Sequence, residues 1–165
     1  MKKLFITIVL LITILAGSAY AQKASSQATW VNPNSFNINM GLGLGYATGM
    51  RVGGGLEYGL GKFTLGNKVP FTYGIAGRVG LSLGSTPAFS TGVFGTLHFS
   101  WGALKLPREI AWIGNFDTYL GLGVLVVPYV DFDSIGGFSY YFSKSVALNL
   151  EAGLRASYIG ILFTL

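Results

Sequence analysis

The residues able to do acid–base or ionic chemistry are few, and their spacing suggests which of them meet. His98-Phe99-Ser100 sets an imidazole and a hydroxyl two residues apart, on one face of any extended segment, as a base and nucleophile would be. Such a pair needs a third group to orient the base, and the carboxylate considered for it, Glu109, lies beside Pro107 in a connection. No catalytic residue is therefore expected, with His98 and Ser100 kept only for an alternative reading. Gly59-Leu-Gly-Lys62 has the start of a phosphate-binding loop, but Phe63 stands where Ser or Thr is required. With one His and no Cys, neither a metal-ligand cluster nor a cofactor is expected. What remains is ionic: Arg51, Glu57, Arg78, Asp117, Glu151 and Arg155.

Those charges sit in a pattern of period two, the mark of strands with one apolar face. Phe36, Ile38, Met40, Leu42, Leu44 and Tyr46 alternate with Asn and Gly, and a second strand runs from Met50 to Leu60. A third sets Phe71, Tyr73, Ile75, Val79, Leu81 and Leu83 against a face carrying Arg78. The fourth sets Phe89, Val93, Leu97, Phe99 and Trp101 against a face carrying His98. Four more begin near Phe116, Phe138, Val146 and Ser157, making about eight of the ~9 to 11 residues that cross a bilayer when tilted. Ala47-Thr48-Gly49 and Ser143-Lys144-Ser145 are expected as three-residue turns, the first with Gly in the left-handed position, and Arg155-Ala156 as a two-residue turn. Gly61 to Val69, Gly102 to Asn115, and about Val127 to Asp133 are expected as connections, with a helical turn or two at Pro107 to Ile113.

Composition decides where such a sheet lives. Charged residues are 10% of the chain and apolar ones 51%, against about 25% charged in soluble domains. Lys2 and Lys3, the apolar run Leu4 to Leu15 and Ala19-Tyr-Ala21 form a secretory signal peptide, cleaved after residue 21. The run is too short for a spanning helix, which needs about 20 residues, and later apolar runs are all interrupted. An exported apolar chain without helical spans is expected to be an all-β, closed, antiparallel, up-and-down transmembrane barrel. Its parts are the signal peptide 1–21, a short periplasmic segment 22–34 and the barrel 35–165. The net charge of +5 falls to +3 without Lys2 and Lys3, too little to suggest nucleic acid. An eight-stranded barrel has room inside only for its own side chains. The Gly, Ser, Thr and Asn face therefore points inward, taking the six charged residues with it as an ion-pair network, and the bulky face points to lipid. On this parity Leu122→Arg is expected to be costly and Gly123→Ser mild.

The stretches "GGGLEYGLG", "YLGLGVLVVPYV" and "YYFSKSVALNLEAGL" resemble the small outer-membrane barrels of the OmpA, OmpX, OmpW and opacity-protein type, over essentially the whole mature chain. The resemblance implies an outer-membrane protein of a Gram-negative envelope, porin-like in build. Its segment 157–165, "SYIGILFTL", is similar to the C-terminal strand that barrel assembly machinery reads, although it ends in Leu165 rather than an aromatic residue. Phe36, Tyr58, Phe71, Tyr73, Phe99, Trp101, Phe116, Phe142 and Phe163 are expected to form an aromatic girdle at one rim, with Tyr46 and Phe89 at the other. The functional expectation is a monomeric barrel in contact with outer-membrane lipid, with a structural or interaction role and no catalysis. The alternatives are a conduit for a small or hydrophobic compound, and a lipid A-modifying enzyme of the H-x-S barrel type.

Overall fold

The computed structural model describes residues 29–47, 49–66, 69–84, 87–104 and 106–165. The expected signal peptide, and residues 22–28 of the segment after it, lie outside them. Eight antiparallel strands close into one barrel with neighbours in chain order. They are β1 (Phe36–Gly45), β2 (Gly49–Leu65), β3 (Val69–Ser82), β4 (Phe89–Ser100), β5 (Phe116–Val127), β6 (Asp131–Tyr141), β7 (Val146–Gly153) and β8 (Ala156–Thr164). Closure pairs β1 with β8 from Asn37↔Thr164 to Gly45↔Ala156, so among the described residues no edge strand is left unpaired. Both described chain ends, the β2–β3, β4–β5 and β6–β7 connections lie at one end, called here the lower end. The other four connections lie at the upper end.

The register fixes the barrel's width. One row of paired residues runs Thr72, His98, Tyr119, Gly137, Glu151, Tyr158, Gly43, Arg51 and back to β3 at Ser82. The row thus returns ten residues above its start, the stagger that, with eight strands, sets the strand tilt and a narrow interior. Every residue of that row faces inward. Bulky residues such as Leu42, Leu56, Ile75, Val79, Leu120, Leu122 and Ile159 point outward and are exposed, while Thr72, Thr96, His98, Asp117, Ser139, Asn149 and Glu151 are buried within.

Gly49 has φ +73 and ends the first turn as expected. Three expectations shift. Gly61 to Val69 is not a long connection: β2 and β3 stay paired to Leu65↔Val69. A bulge between Gly59 and Gly61 breaks the alternation there, so sequence parity ends too early. Phe63 then stacks on Phe71 at 5.6 Å across the extended hairpin. The last turn is Leu154-Arg155, one residue earlier than expected, because Ala152 pairs with Ser157 and Ala156 already lies in β8. The β5–β6 connection is only Pro128-Tyr129-Val130, and Asp133 belongs to β6 and faces the lumen. The long β4–β5 connection forms two 3-10 segments, Trp101–Ala103 and Arg108–Asn115, the second preceded by Pro107.

Candidate functional site: a lumen closed below and open above

Alternation on β4 brings Thr96, His98 and Ser100 onto the lumen face, and β5 presents Asp117 and Tyr119 beside them. His98 Nδ1 lies 2.7 Å from Asp117 Oδ2, and Nε2 lies 2.6 Å from Glu57 Oε1. Carboxylates at both ring nitrogens require both N–H groups to donate. Ser100 Oγ donates to Asp117 Oδ1 at 2.5 Å instead of to the imidazole. The oriented carboxylate that His98-Phe99-Ser100 lacked in sequence is thus present as Asp117, but the histidine has no free nitrogen to act as a base for Ser100.

The chain of contacts continues upward. Arg78 Nη2 is 3.7 Å from Glu57 Oε2 and 3.0 Å from Glu151 Oε2. Arg78 Nε also donates to Glu151 Oε2 at 3.1 Å. Tyr119 donates to Glu151 Oε2 at 2.7 Å, and Asn149 Nδ2 to Ser139 Oγ at 3.0 Å and Tyr119 Oη at 3.0 Å. Thr96 donates to Glu57 at 2.5 Å. One polar network therefore links β2, β3, β4, β5, β6 and β7, with Phe94 and Ile135 packed among its members. Buried charges persist only when paired in this way. Tyr119, Thr96, Asn149 and Ser139 were not singled out in the sequence, although parity with Asp117, His98 and Glu151 was the available signal.

The structure separates the remaining expected members. Arg155 is not in the lumen: it lies in the β7–β8 turn, paired with Asp131 and donating to Tyr129 Oη at 3.1 Å. The reason is the shifted turn, which takes Arg155 out of the alternation. Arg51 faces the lumen but stands apart near the upper end, donating to Ser90.

Below the network, residues Thr29 to Ser35 fill the lower mouth. Trp30 stacks on Tyr141 with centroids 4.4 Å apart, and its Nε1 donates to Gly114 O at 2.8 Å. Trp30 N donates to Ser100 Oγ at 2.9 Å, and Thr72 Oγ1 to the Val31 carbonyl at 2.9 Å. Val31 is 1% exposed. Gly59 admits this segment: a Cβ there would lie 2.2 Å from the Asn32 carbonyl. Above the network the lumen opens into a cavity of about 380 Å³, floored by Arg78 and Glu151 and reaching the upper turns.

Outward aromatic residues form a near-continuous lower belt. Phe63, Phe71, Phe99 and Trp101 touch in sequence, as do Trp112, Phe116, Tyr140 and Phe142, and Phe36 meets Tyr58. Tyr73 approaches Phe63, and Phe163 projects from β8. At the upper end Tyr46 and Phe89 are exposed, with Tyr129 and Phe132 beside the upper turns as further members.

No family model matches the chain, and no curated relative does. Solved structures do. A de novo designed transmembrane β-barrel aligns with a TM-score of 0.59 and 16% identity, covering 81% of this chain and 98% of that one. The N-terminal β-barrel domain of Pseudomonas aeruginosa OprF aligns with a TM-score of 0.57 and 14% identity, again covering 81% and 98%. At these identities the likeness is one of fold. The fold they share with this chain is the closed, eight-stranded, antiparallel β-barrel.

Proposed function

We propose that the protein is an integral outer-membrane barrel with a structural or interaction role in the cell envelope, neither catalysing a reaction nor passing ions. The observation that carries this reading is the double closure of the lumen, by the Glu57–Arg78–Glu151–His98–Asp117 network and by the Trp30-Val31 segment beneath it. On this reading no continuous water path crosses the barrel. The outward band of Leu, Val and Ile between two aromatic rims suits a bilayer. The signal-like N-terminus supports export, and on this reading the lower end, where both described chain ends lie, faces the periplasm. The 157–165 strand, which closes the barrel against β1, is the segment offered to assembly machinery. Absence of catalysis is supported by His98, whose two nitrogens are both occupied by carboxylates.

Fractionation of the native host, with gel electrophoresis of the outer-membrane fraction, tests the reading. A closed barrel resists detergent, so the unboiled band is expected to migrate apart from the boiled one, and in the outer-membrane fraction. Recovery from the inner membrane or the soluble fraction overturns the reading.

A further inference from the structure

The upper cavity holds two buried charges that the network does not use. Arg51 is 8% exposed, its Nε is buried without a partner, and no carboxylate among the described residues lies within ion-pair distance of it. Asp133 is 6% exposed, accepts one bond from the backbone N of Ser134, and pairs with no cation among the described residues. Both line the cavity. Buried ions left in this state are costly, so their persistence calls for a complement.

The register shows how they face each other. Arg51 is on β2 and Asp133 on β6, four strands apart in an eight-stranded barrel and therefore on opposite walls. A stagger of ten residues over eight strands lifts the row by 1.25 residues per strand, or five residues over the four steps from Gly137 to Arg51. Asp133 stands four residues above Gly137 on the same strand. The two charges are thus within about one residue of the same height along the barrel axis.

Around Arg51 the wall is shaped for an anion. A Cβ on Gly80 would lie 2.6 Å from Arg51 Nη2, 2.8 Å from Tyr158 Oη and 3.1 Å from Ser90 Oγ, so a guanidinium and two hydroxyls converge on the space a side chain would fill. The Tyr158 ring itself lies across Gly43 and Gly53, which have no Cβ to hold it away. Apolar surface from Phe94, Leu125 and Ile135 lines the same cavity.

The geometry points to a binding site for one small zwitterion, its anionic oxygens on Arg51, Tyr158 and Ser90, its ammonium on Asp133 and its apolar part on Phe94, Leu125 and Ile135. An eight-stranded lumen can hold one small ligand when glycines replace the side chains that would fill it. Two sources carry this chemistry: a free α-amino acid and a phosphoethanolamine headgroup. The site goes beyond the envelope role and depends only on the barrel, so fractionation and ligand binding can fail independently.

The test uses the full mature chain in detergent micelles, with backbone amide resonances of Gly80, Ser90 and Asp133 as the readout. Four probes are titrated: phenylalanine, glycerophosphoethanolamine, 3-phenylpropionate and 2-phenylethylamine. Saturable shifts are expected with a zwitterion, and about tenfold or weaker binding with the probes bearing a single charge. The stronger of the two zwitterions identifies the source. Asp133→Asn is expected to bring 3-phenylpropionate level with phenylalanine, and Arg51→Gln to do so for 2-phenylethylamine. Gly80→Ala keeps every charge and meets only side-chain ends, those of Arg51, Tyr158 and Ser90, so it is expected to fold yet bind about tenfold more weakly. It decides the matter with the wild-type panel should a charge variant fail to fold. Equal binding of all four probes, no saturable shift with either zwitterion, or an unchanged Gly80→Ala overturns the site.

Discussion

His98 between Asp117 and Glu57, and Arg78 between Glu57 and Glu151, make a chain of charges in which His98, Glu57 and Arg78 each balance two neighbours. Removing Glu151 takes from Arg78 its nearer partner and leaves Glu57 at 3.7 Å, a loss of up to about 3 to 5 kcal/mol for such a pair. Glu151→Gln is therefore expected to destabilise the barrel by up to that amount. Adding Arg78→Met is expected to recover part of it, and a double-mutant cycle in urea measures the coupling. Additive losses would mean that the two residues act separately. Parity placed Arg78 and Glu151 together in one inward network, and their closest atoms are 3.0 Å apart. It was blind to Asp133, because the connection expected at about Val127 to Asp133 covers residues where β6 has already begun. It also put Arg155 in the lumen, because one residue of turn displacement reverses which residues count as inward.

Along a strand, neighbouring residues meet opposite surroundings. Leu122 is 64% exposed on the outward face of β5, so Leu122→Arg is expected to cost about 2 to 4 kcal/mol when folded in a bilayer. Gly123, next to it, was expected from sequence to tolerate Ser. In the structure a Cβ there would lie 2.0 Å from the Val93 carbonyl and 2.7 Å from the Phe94 Cα, both backbone atoms that cannot swing aside. Gly123→Ser is accordingly expected to destabilise the β4–β5 pair rather than pass unnoticed, with urea midpoints for the two variants as the check. Alternation supplied the strands, and the glycine at left-handed φ supplied the first turn. What it could not supply was register: the bulges at Gly59/Gly61 and Thr91/Gly92 shift pairing without leaving a mark in hydrophobicity.

At the scale of the whole molecule the described residues form a cup, filled below by Trp30 and Val31 and by the polar network, with a cavity above. Nothing in the alternation announced this filling, because residues 29 to 35 belong to no strand and their contacts run from Gly59 in β2 to Tyr141 in β6. Trp30→Ala removes the stacked ring and the bond to Gly114. It is expected to speed hydrogen exchange at Thr72 and Ser100 while leaving exchange in mid-strand β5 unchanged. Uniform acceleration would mean that the segment holds the fold instead of capping it.

Closure of the lumen is the claim on which the functional reading stands, and single-channel recording of the wild-type barrel in a planar bilayer tests it most directly. The account predicts a quiet baseline after insertion, with insertion verified by the gel shift of recovered protein. A stable unitary conductance that rises in proportion to salt would contradict it, since ions would then be passing where Trp30, His98 and the Arg78–Glu151 pair fill the barrel.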